Sequence, residues 1–290
     1  MKGMYVASVT AFDIKNQLNE KAQLKLMDRN LQEGAVGFFV GGSSGECFLM
    51  TPEERIRTFE VAATYLSQAD LFAHVGALGT DEAIYYAKAA KRLGYKKISA
   101  TPPFYFGFGQ EAICSYYKEI CEAVDMPVLY YNIPINTHKE LDLTCRQTRD
   151  FLKSGYISGI KHTNFDINQM ERIRHINPNL EMYGGLEQNM IPFMSLGCNS
   201  FIGSTFNFML PHYKKIFDLV SEGRYNEALP FQEQANTIME TIWNIGLFPA
   251  IKYILKKQGN NVGDTRSPFT ALTEKQKEVI DRVIEENLCN

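Results

Sequence analysis

Length, composition and charge restrict the classes of protein to which this sequence can belong. The chain has 290 residues, 45% of them hydrophobic, so it can bury one large core without a second full domain. The formal charge is −3, and Lys and Arg are scattered among Asp and Glu, which argues against nucleic acid and anionic membranes as partners. The N-terminal residues run directly into a strand-like pattern, and no apolar stretch approaches the roughly 20 residues of a membrane span, so we expect a cytoplasmic protein.

Short apolar runs rich in β-forming residues alternate with longer amphipathic stretches through the first two-thirds of the chain. Such alternation is typical of a parallel sheet whose strands are joined by helices, and eight units are the number that closes a barrel. The sequence therefore predicts an α/β protein with a (β/α)8 TIM barrel. The predicted strands cover residues 4–12, 36–42, 71–77, 97–102, 127–134, 157–163, 180–185 and 200–205.

Helical periodicity between and after these runs indicates the domain organisation. Thr51 or Asp81 is well placed to cap the helix that follows it. From about Tyr225 the pattern is that of further helices without strands. We expect residues 1–224 to form the barrel with the active site, and residues 225–290 to form a C-terminal helical extension packed on it. The predicted helices are 52–66, 81–93, 110–124, 144–154, 166–176 and 211–222, followed by 226–245, 249–258 and 274–286.

Cysteine and histidine usage gives no indication of a disulfide framework or a metal site. The cysteines lie far apart without a Cys-x-x-Cys pair, and no histidine stands at metal-ligand spacing. Single histidines such as His138, His162 and His212 are more often structural groups than ligands. We therefore expect reduced thiols and no metal. The cysteines are Cys47, Cys114, Cys121, Cys145, Cys198 and Cys289.

Lys161 attracts attention because it lies near the end of an otherwise apolar or small strand, where barrels of this type place their active sites. Strand alternation puts Lys161 on the face opposite Ile160, whose bulk suits the helix-facing layer, so the lysine should point into the barrel. An ammonium group held there loses hydration, its pKa falls, and the free amine can attack a ketone. Position alone favours the alternative of a strand-end lysine that reaches solvent.

Tyr131 ends the neighbouring predicted strand. Because adjacent strands are about 4.8 Å apart, Tyr131 could lie beside Lys161 and transfer protons there. For an isolated tyrosine, a core or rim position is the more common role.

The segment Gly-Gly-Ser-Ser-Gly-Glu at 41–46 follows the second predicted strand and could hold a carboxylate. Its glycines let successive N–H groups converge, and Ser43 and Ser44 add hydroxyl donors. An ordinary flexible turn is the alternative. Glu46 is interpreted as structural, because a carboxylate beside an anion cradle would oppose binding unless it pointed away.

The seventh and eighth predicted strands end in polar groups suited to a hydroxylated substrate. Gly185, Glu187 and Gln188 follow the seventh strand, and Ser204 follows the eighth. Neither loop contains Lys or Arg, which argues against the sugar-phosphate site that many barrels build there. Each feature by itself is more often a turn or a helix cap.

Four segments stand in order along the chain: Gly-Gly-Ser-Ser-Gly-Glu at 41–46, Tyr-Asn-Ile-Pro at 131–134, Gly-Ile-Lys-His-Thr at 159–163 and Gly-Ser-Thr-Phe-Asn at 203–207. Together, and at this spacing, they resemble the N-acetylneuraminate lyase and dihydrodipicolinate synthase family. The likeness runs from about residue 3 to residue 272. The combination is far more specific than any single motif.

The resemblance implies a class I aldolase that needs no cofactor. It implies that Lys161 forms a Schiff base with a pyruvate-type keto acid, that Tyr131 transfers protons, and that Ser43 and Ser44 hold the carboxylate. Tyr105 matches a family tyrosine that reaches a neighbouring subunit's site. A homotetramer built as a dimer of dimers is implied with it.

The choice of substrate within the family depends on fewer residues. Asn136 stands where dihydrodipicolinate synthases carry an arginine for a second carboxylate, and losing that bidentate cation argues against synthase activity. Thr163 and the Ser204 motif match the sialate-cleaving branch. We therefore expect reversible cleavage of N-acetylneuraminate to N-acetylmannosamine and pyruvate, with Thr163, Gly185, Glu187, Gln188 and Ser204 binding substrate.

Two alternatives stay open. Lyases of this branch usually show Gly-x-Asp-Glu where this chain has Gly-Leu-Glu-Gln at 185–188, so the substrate could be a shorter 2-keto-3-deoxy sugar acid. A non-catalytic binding barrel is the other alternative. The joint presence of Lys161, Tyr131 and Ser43 argues against it, because fold maintenance does not require all three.

Overall fold

Eight parallel strands close into a barrel within residues 2–288, the part of the chain that the computed structural model describes. Each strand pairs with the next along the chain, and the last pairs with the first. With helices between the strands, this is the predicted (β/α)8 TIM barrel. The strands are β1 (Gly3–Ala7), β2 (Gly37–Val40), β3 (Asp70–His74), β4 (Lys97–Ala100), β5 (Val128–Asn132), β6 (Ile157–His162), β7 (Glu181–Gly184) and β8 (Ser200–Gly203).

All eight predicted strands are present, but each ladder is shorter than the apolar run that predicted it. β1 ends at Ala7 rather than at residue 12, although Val9 and Phe12 are buried. Beyond the ladder, the N–H of Phe12 donates to the carbonyl of Val262 at 2.9 Å. The C-terminal part of the chain therefore covers the apolar residues of the loop after β1. This explains why the apolar sequence pattern extends beyond the end of the strand.

Helices surround the barrel and continue after it. Among the described residues they are α1 (Glu20–Gln32), α2 (Pro52–Ala63), α3 (Thr80–Arg92), α4 (Gln110–Val124), α5 (Pro134–Thr137), α6 (Arg146–Lys153), α7 (Ile167–Ile176), α8 (Met190–Ser195), α9 (Phe206–Ser221), α10 (Tyr225–Ile245), α11 (Leu247–Lys257) and α12 (Glu274–Leu288). The sequence patterns did not single out α1, α5 and α8.

Capping chemistry explains where α2 begins. Thr51 Oγ1 accepts from the N–H of Glu54 at 3.3 Å, and Glu54 Oε2 accepts from the N–H of Thr51 at 2.9 Å. This reciprocal pair is a capping box, and it confirms Thr51 as the N-cap. The prediction that Asp81 caps the next helix is wrong. The cap of α3 is Gly79, and Asp81 lies in the first turn, where its charge still favours the helix N-terminus.

The start of α9 also differs from the prediction. The helix begins at Phe206, ahead of the predicted start at Pro211. Met209 has non-helical backbone angles just before this proline, so two helical segments meet at a kink. Proline has no N–H to donate to the carbonyl one helical turn earlier, which explains the kink. For the same reason the sequence pattern placed the start of the helix at Pro211 rather than at Phe206.

A layer of aromatic rings fills the barrel interior. Tyr5, Phe72 and Tyr183 make edge-to-face contacts with ring centroids 5.6, 5.6 and 5.3 Å apart. Phe39 lies at 5.7 Å from the ring of Tyr131 and joins this layer to the strand ends. Because the rings exclude water from the barrel centre, polar groups next to them are desolvated.

The C-terminal helices pack against the barrel end at which β7 and β8 finish. α10 lies against α9 and α12. Gln232 of α10 donates to the carbonyl of Glu187 at 3.1 Å, and Asn236 donates to the carbonyl of Gln188 at 3.3 Å. The extension therefore supports the loop after β7. The division of the chain into two units between residues 224 and 225 remains our proposal.

Within residues 2–288 no helix is both long and apolar enough to span a membrane. The same residues contain no group of three or more His, Cys, Asp or Glu side chains arranged to hold a metal ion. Of the predicted thiols, those that are described are free, and Cys289 lies outside the described residues.

Removing the capping box should destabilise the fold measurably. We expect Thr51→Ala to lower the free energy of unfolding by about 1 kcal/mol, because the first turn of α2 loses a hydrogen-bond acceptor. Urea unfolding monitored by circular dichroism measures it. Thr237→Ala is the control, since the Thr237 hydroxyl donates to the Glu233 carbonyl within its own exposed helix turn, and a change below about 0.5 kcal/mol is expected. Equal losses in both variants would contradict the assignment.

Candidate active site

A cavity of about 240 Å³ opens at the C-terminal ends of the strands. The strands, the loops after them and the C-terminal helices all contribute to its wall. Every predicted site residue except Tyr105 lies on this wall. These residues are Ser43, Ser44, Tyr131, Lys161, Thr163, Gly185, Glu187, Gln188 and Ser204.

Lys161 lies on β6 with its side chain pointing into the barrel, as predicted, and only 3% of it is exposed. Its Nζ donates to Thr163 Oγ1 at 3.2 Å and lies 5.3 Å from the ring centre of Phe39. Ile160 is buried in the cluster outside the strands. The alternative of a lysine that simply reaches solvent is therefore wrong.

Burial sets the protonation of this amine. Desolvation lowers the pKa of Lys161 to about 7, while the nearby carboxylate of Glu187 opposes the shift. At neutral pH a substantial fraction of the side chain is therefore the free amine. That form has the lone pair needed to attack a carbonyl carbon.

Tyr131 lies directly beside Lys161, because the two residues are partners in the β5–β6 ladder. Lys161 Nζ is 3.5 Å from the centre of the Tyr131 ring. Burial raises the pKa of Tyr131, and hydrogen bonding with Ser43 and Thr163 partly opposes this. The phenol is therefore protonated at neutral pH and able to donate a proton within the cavity.

The loop of residues 41–49 brings two hydroxyl groups to the same cavity. Gly41 enters the loop with φ +66°, which glycine adopts readily, and residues Ser43–Gly45 form one 3-10 turn. Ser44 is buried, and the Gly45 carbonyl accepts from Thr10 Oγ1 at 2.8 Å. The serines are held at the cavity wall on the side of Tyr131, where their hydroxyls can donate to an anion.

Glu46 follows these serines and is bound elsewhere. Its Oε1 lies 2.6 Å from Lys252 Nζ, and its Oε2 accepts from the N–H of Arg266 at 2.7 Å. The carboxylate therefore has its counter-charge away from the serine hydroxyls. This agrees with the interpretation of Glu46 as a structural residue.

The opposite end of the cavity is polar. Glu187 Oε1 accepts from the N–H of Thr205 at 2.9 Å, from Thr205 Oγ1 at 3.0 Å and from Ser204 Oγ at 3.3 Å. Gly185 packs against Thr163 so closely that a side chain at 185 would collide with it. Gln188 also lines the wall, so several groups here can bind hydroxyl groups of a ligand. Of the described residues on the wall, Lys161 is the only Lys or Arg, which does not suit a phosphate.

Sequence reasoning missed His74 at the end of β3. Its Nδ1 lies 3.1 Å from the Gly41 carbonyl, and its Nε2 accepts from the N–H of Thr101 at 3.2 Å. Burial first, and the charge of Arg55 second, hold the pKa of His74 well below its usual range. The neutral ring links the 41–49 loop to the barrel. Its strand-end position was the one available signal.

The apolar wall that the C-terminal extension supplies was missed as well. It comes from α10, α11 and the segment before α12, which lie far from the motifs in sequence. No local pattern marks such residues as part of a site, because their role depends on how the extension packs. They are Met239, Trp243, Leu247, Phe248 and Phe269.

Tyr105 lies away from this cavity. Its side chain is 74% exposed, and its ring contacts Phe106 at a centroid distance of 5.0 Å. A contribution of Tyr105 to a neighbouring subunit's site remains a prediction.

Comparisons with known proteins give relatives over almost the whole chain. The sequence matches the family described as Dihydrodipicolinate synthetase over residues 1–287. It is 35% identical over 289 residues to the N-acetylneuraminate lyase of Clostridium perfringens (strain SM101 / Type A), and the match covers 99% of each chain.

Solved structures of related proteins have the same fold over almost the whole chain. The structure of CdNal from Clostridium difficile in complex with mannosamine has a TM-score of 0.94 at 33% identity and covers 99% of both chains. The N-acetylneuraminate lyase from Fusobacterium nucleatum complexed with pyruvate has a TM-score of 0.92 at 33% identity. That match covers 99% of this chain and 97% of the other.

The reactivity of Lys161 should follow its lowered pKa. We expect the rate of borohydride-trappable imine formation with pyruvate to rise with pH up to about 7 and then level off, because only the deprotonated amine attacks. An ordinary lysine would continue to gain reactivity up to about pH 10.4. Initial trapping rates across the neutral and alkaline range measure this. A rate that keeps rising well above neutral pH would contradict the assignment.

Proposed function

Since the chain belongs to the dihydrodipicolinate synthetase family and is a carbon–carbon lyase, we propose that it cleaves N-acetylneuraminate reversibly to N-acetylmannosamine and pyruvate. The observation that carries this proposal is the desolvated amine of Lys161, placed against Tyr131 and the serine hydroxyls in one cavity. The relatives named N-acetylneuraminate lyase support the choice of substrate. The proposed reaction uses no cofactor and no metal.

Binding begins with the carboxylate of the open-chain sugar acid. Ser43 and Ser44 donate hydrogen bonds to it, which places the C2 ketone near Lys161 Nζ. The apolar surroundings strengthen these hydrogen bonds, because competing water is excluded. Glu46 does not repel the anion, since its charge is balanced by Lys252.

Schiff-base formation follows. The free amine of Lys161 attacks C2 and gives a carbinolamine. Tyr131 donates its proton to the departing hydroxyl, which leaves as water, and the positive iminium lies beside the phenolate that remains. Burial keeps the phenol protonated before this step and the iminium charge stabilises the phenolate after it.

Carbon–carbon cleavage restores the phenol of Tyr131. The phenolate of Tyr131 takes the C4 hydroxyl proton, directly or through the substrate carboxylate, while the C3–C4 electron pair moves into the iminium. The products are N-acetylmannosamine and an enamine on Lys161. Protonation at C3 and hydrolysis release pyruvate and regenerate the amine.

The polar end of the cavity fits the hydroxylated part of the substrate. We propose that Thr163, Gly185, Glu187, Gln188 and Ser204 contact it. The departure from Gly-x-Asp-Glu supports a second candidate, an aldolase for a 2-keto-3-deoxy sugar acid, because Glu187 Oε1 already accepts three hydrogen bonds. Asn136 lies on the wall with a neutral amide, which disfavours the dihydrodipicolinate synthase reaction.

We also propose a homotetramer built as a dimer of dimers, in which Tyr105 reaches a neighbouring site. Tyr105, Phe106 and Phe108 form an exposed aromatic surface, and such surfaces are typical of contacts between proteins. A cytoplasmic location belongs to the same proposal. The free thiols of the described cysteines are consistent with a reducing compartment.

Two substrates and one variant test the proposed reaction. We expect kcat/KM for N-acetylneuraminate to exceed that for a 2-keto-3-deoxy-aldonate, as measured by release of pyruvate. Lys161→Ala should lose turnover of both while its circular dichroism stays unchanged, because the nucleophile is gone. Lys96→Ala, at an exposed lysine, is the control and should keep full activity.

The outcomes separate the candidates. A preference for the shorter acid would contradict the sialic acid assignment and leave the aldolase chemistry in place. Turnover retained by Lys161→Ala would contradict the Schiff base.

A further inference from the structure

The 41–49 loop is bound to the C-terminal extension by an ion pair in the protein interior. Glu46 lies in the middle of the loop in the left-handed region, with φ 61°. The side chains of Glu46 and Lys252 are 0% and 1% exposed, and their charged atoms are 2.6 Å apart. Two charges buried this deeply are retained only if they satisfy each other, since each alone would have lost its water without compensation.

Further contacts fix Lys252 in place. Its Nζ donates to the carbonyl of Asp264 at 3.0 Å and lies 4.4 Å from the ring centre of Phe12. Lys252 is on α11, the helix that also carries Leu247 and Phe248 of the cavity wall. The helix that supplies part of the wall therefore also supplies the counter-ion for the loop.

Arg266 holds the same loop at two further points. Its backbone N–H donates to Glu46 Oε2 at 2.7 Å, and its Nη1 donates to the carbonyl of Leu49 at 3.1 Å. Its guanidinium also binds both carboxylate oxygens of Glu54 at 2.5 and 2.6 Å. The middle and the end of the loop are thus bound to one residue of the extension.

This anchor is connected to the serine hydroxyls by a single turn. The N–H of Glu46 donates to the carbonyl of Ser43 at 3.0 Å, and Ser43 faces Tyr131 in the cavity. A shift of Glu46 would therefore move the backbone that places Ser43 and Ser44. The Glu46 carboxylate is buried against Lys252, so it does not take part in the reaction directly.

We propose that Glu46, Lys252 and Arg266 are positioning residues, which hold the 41–49 loop in the geometry that receives the keto-acid carboxylate. The inference rests on the proposed function, since it concerns how that carboxylate is bound. If one partner of the ion pair is removed, the loop relaxes. Binding of the keto acid then weakens, while the reaction of bound keto acid with Lys161 proceeds as before.

Borohydride trapping at varied pyruvate concentration tests this. We expect Glu46→Gln and Lys252→Met each to raise the half-saturating pyruvate concentration about tenfold and to leave the trapping rate at saturation within about twofold. The double variant should show the same rise of about tenfold rather than the product of the two effects, because both changes break one link. Lys257→Met is the matched control. Lys257 is on the same helix as Lys252, and its exposed ion pair is with Asp281 of α12, so the change should leave the half-saturating pyruvate concentration unchanged.

If Lys252→Met does not fold, Glu46→Gln decides, because it keeps the shape of the side chain. Folded variants with unchanged half-saturation would overturn the positioning role, even if their melting temperatures fall. Multiplied effects in the double variant would also overturn it. A wild type that forms no adduct at all would contradict the proposed function itself and this inference with it.

Discussion

The Lys161 amine loses its hydration inside the barrel, and this desolvation determines which protonation state it adopts. An ammonium group that is 3% exposed has lost most of its water, and the rings of Phe39 and Tyr131 compensate only in part. The free amine is therefore favoured, and a free amine is useful where a ketone must be attacked. The aromatic layer of the barrel contributes directly, because it closes the interior to water beneath this group.

Burial in the same cavity also determines the protonation state of Tyr131. It keeps Tyr131 protonated, so that the amine and the phenol each have the protonation state that imine formation needs. Glu46 is itself fully buried, so its carboxylate needs a counter-ion, and Lys252 in the extension provides it. Strand geometry thus places the amine and the phenol side by side, while long-range contacts with the extension hold the loop and complete the wall.

Sequence patterns predicted the parts of the site that follow from strand geometry. A period of two and the adjacency of strands place Lys161 beside Tyr131, as the ladder confirms. The fold follows from the alternation of strands and helices. The Glu46–Lys252 pair, His74 and the wall around Trp243 were not predicted, because they depend on contacts between distant segments. Asp81 was assigned to a cap because its residue type suits the position, but the helix begins one residue earlier.

We propose that Lys161 itself forms the covalent bond with the keto acid. Intact mass and peptide mapping after borohydride reduction with pyruvate test this most directly. We expect one reduced pyruvyl group per chain, located on the peptide that contains Lys161, and none on Lys161→Ala. An adduct on another lysine, or no adduct on the wild type, would contradict it.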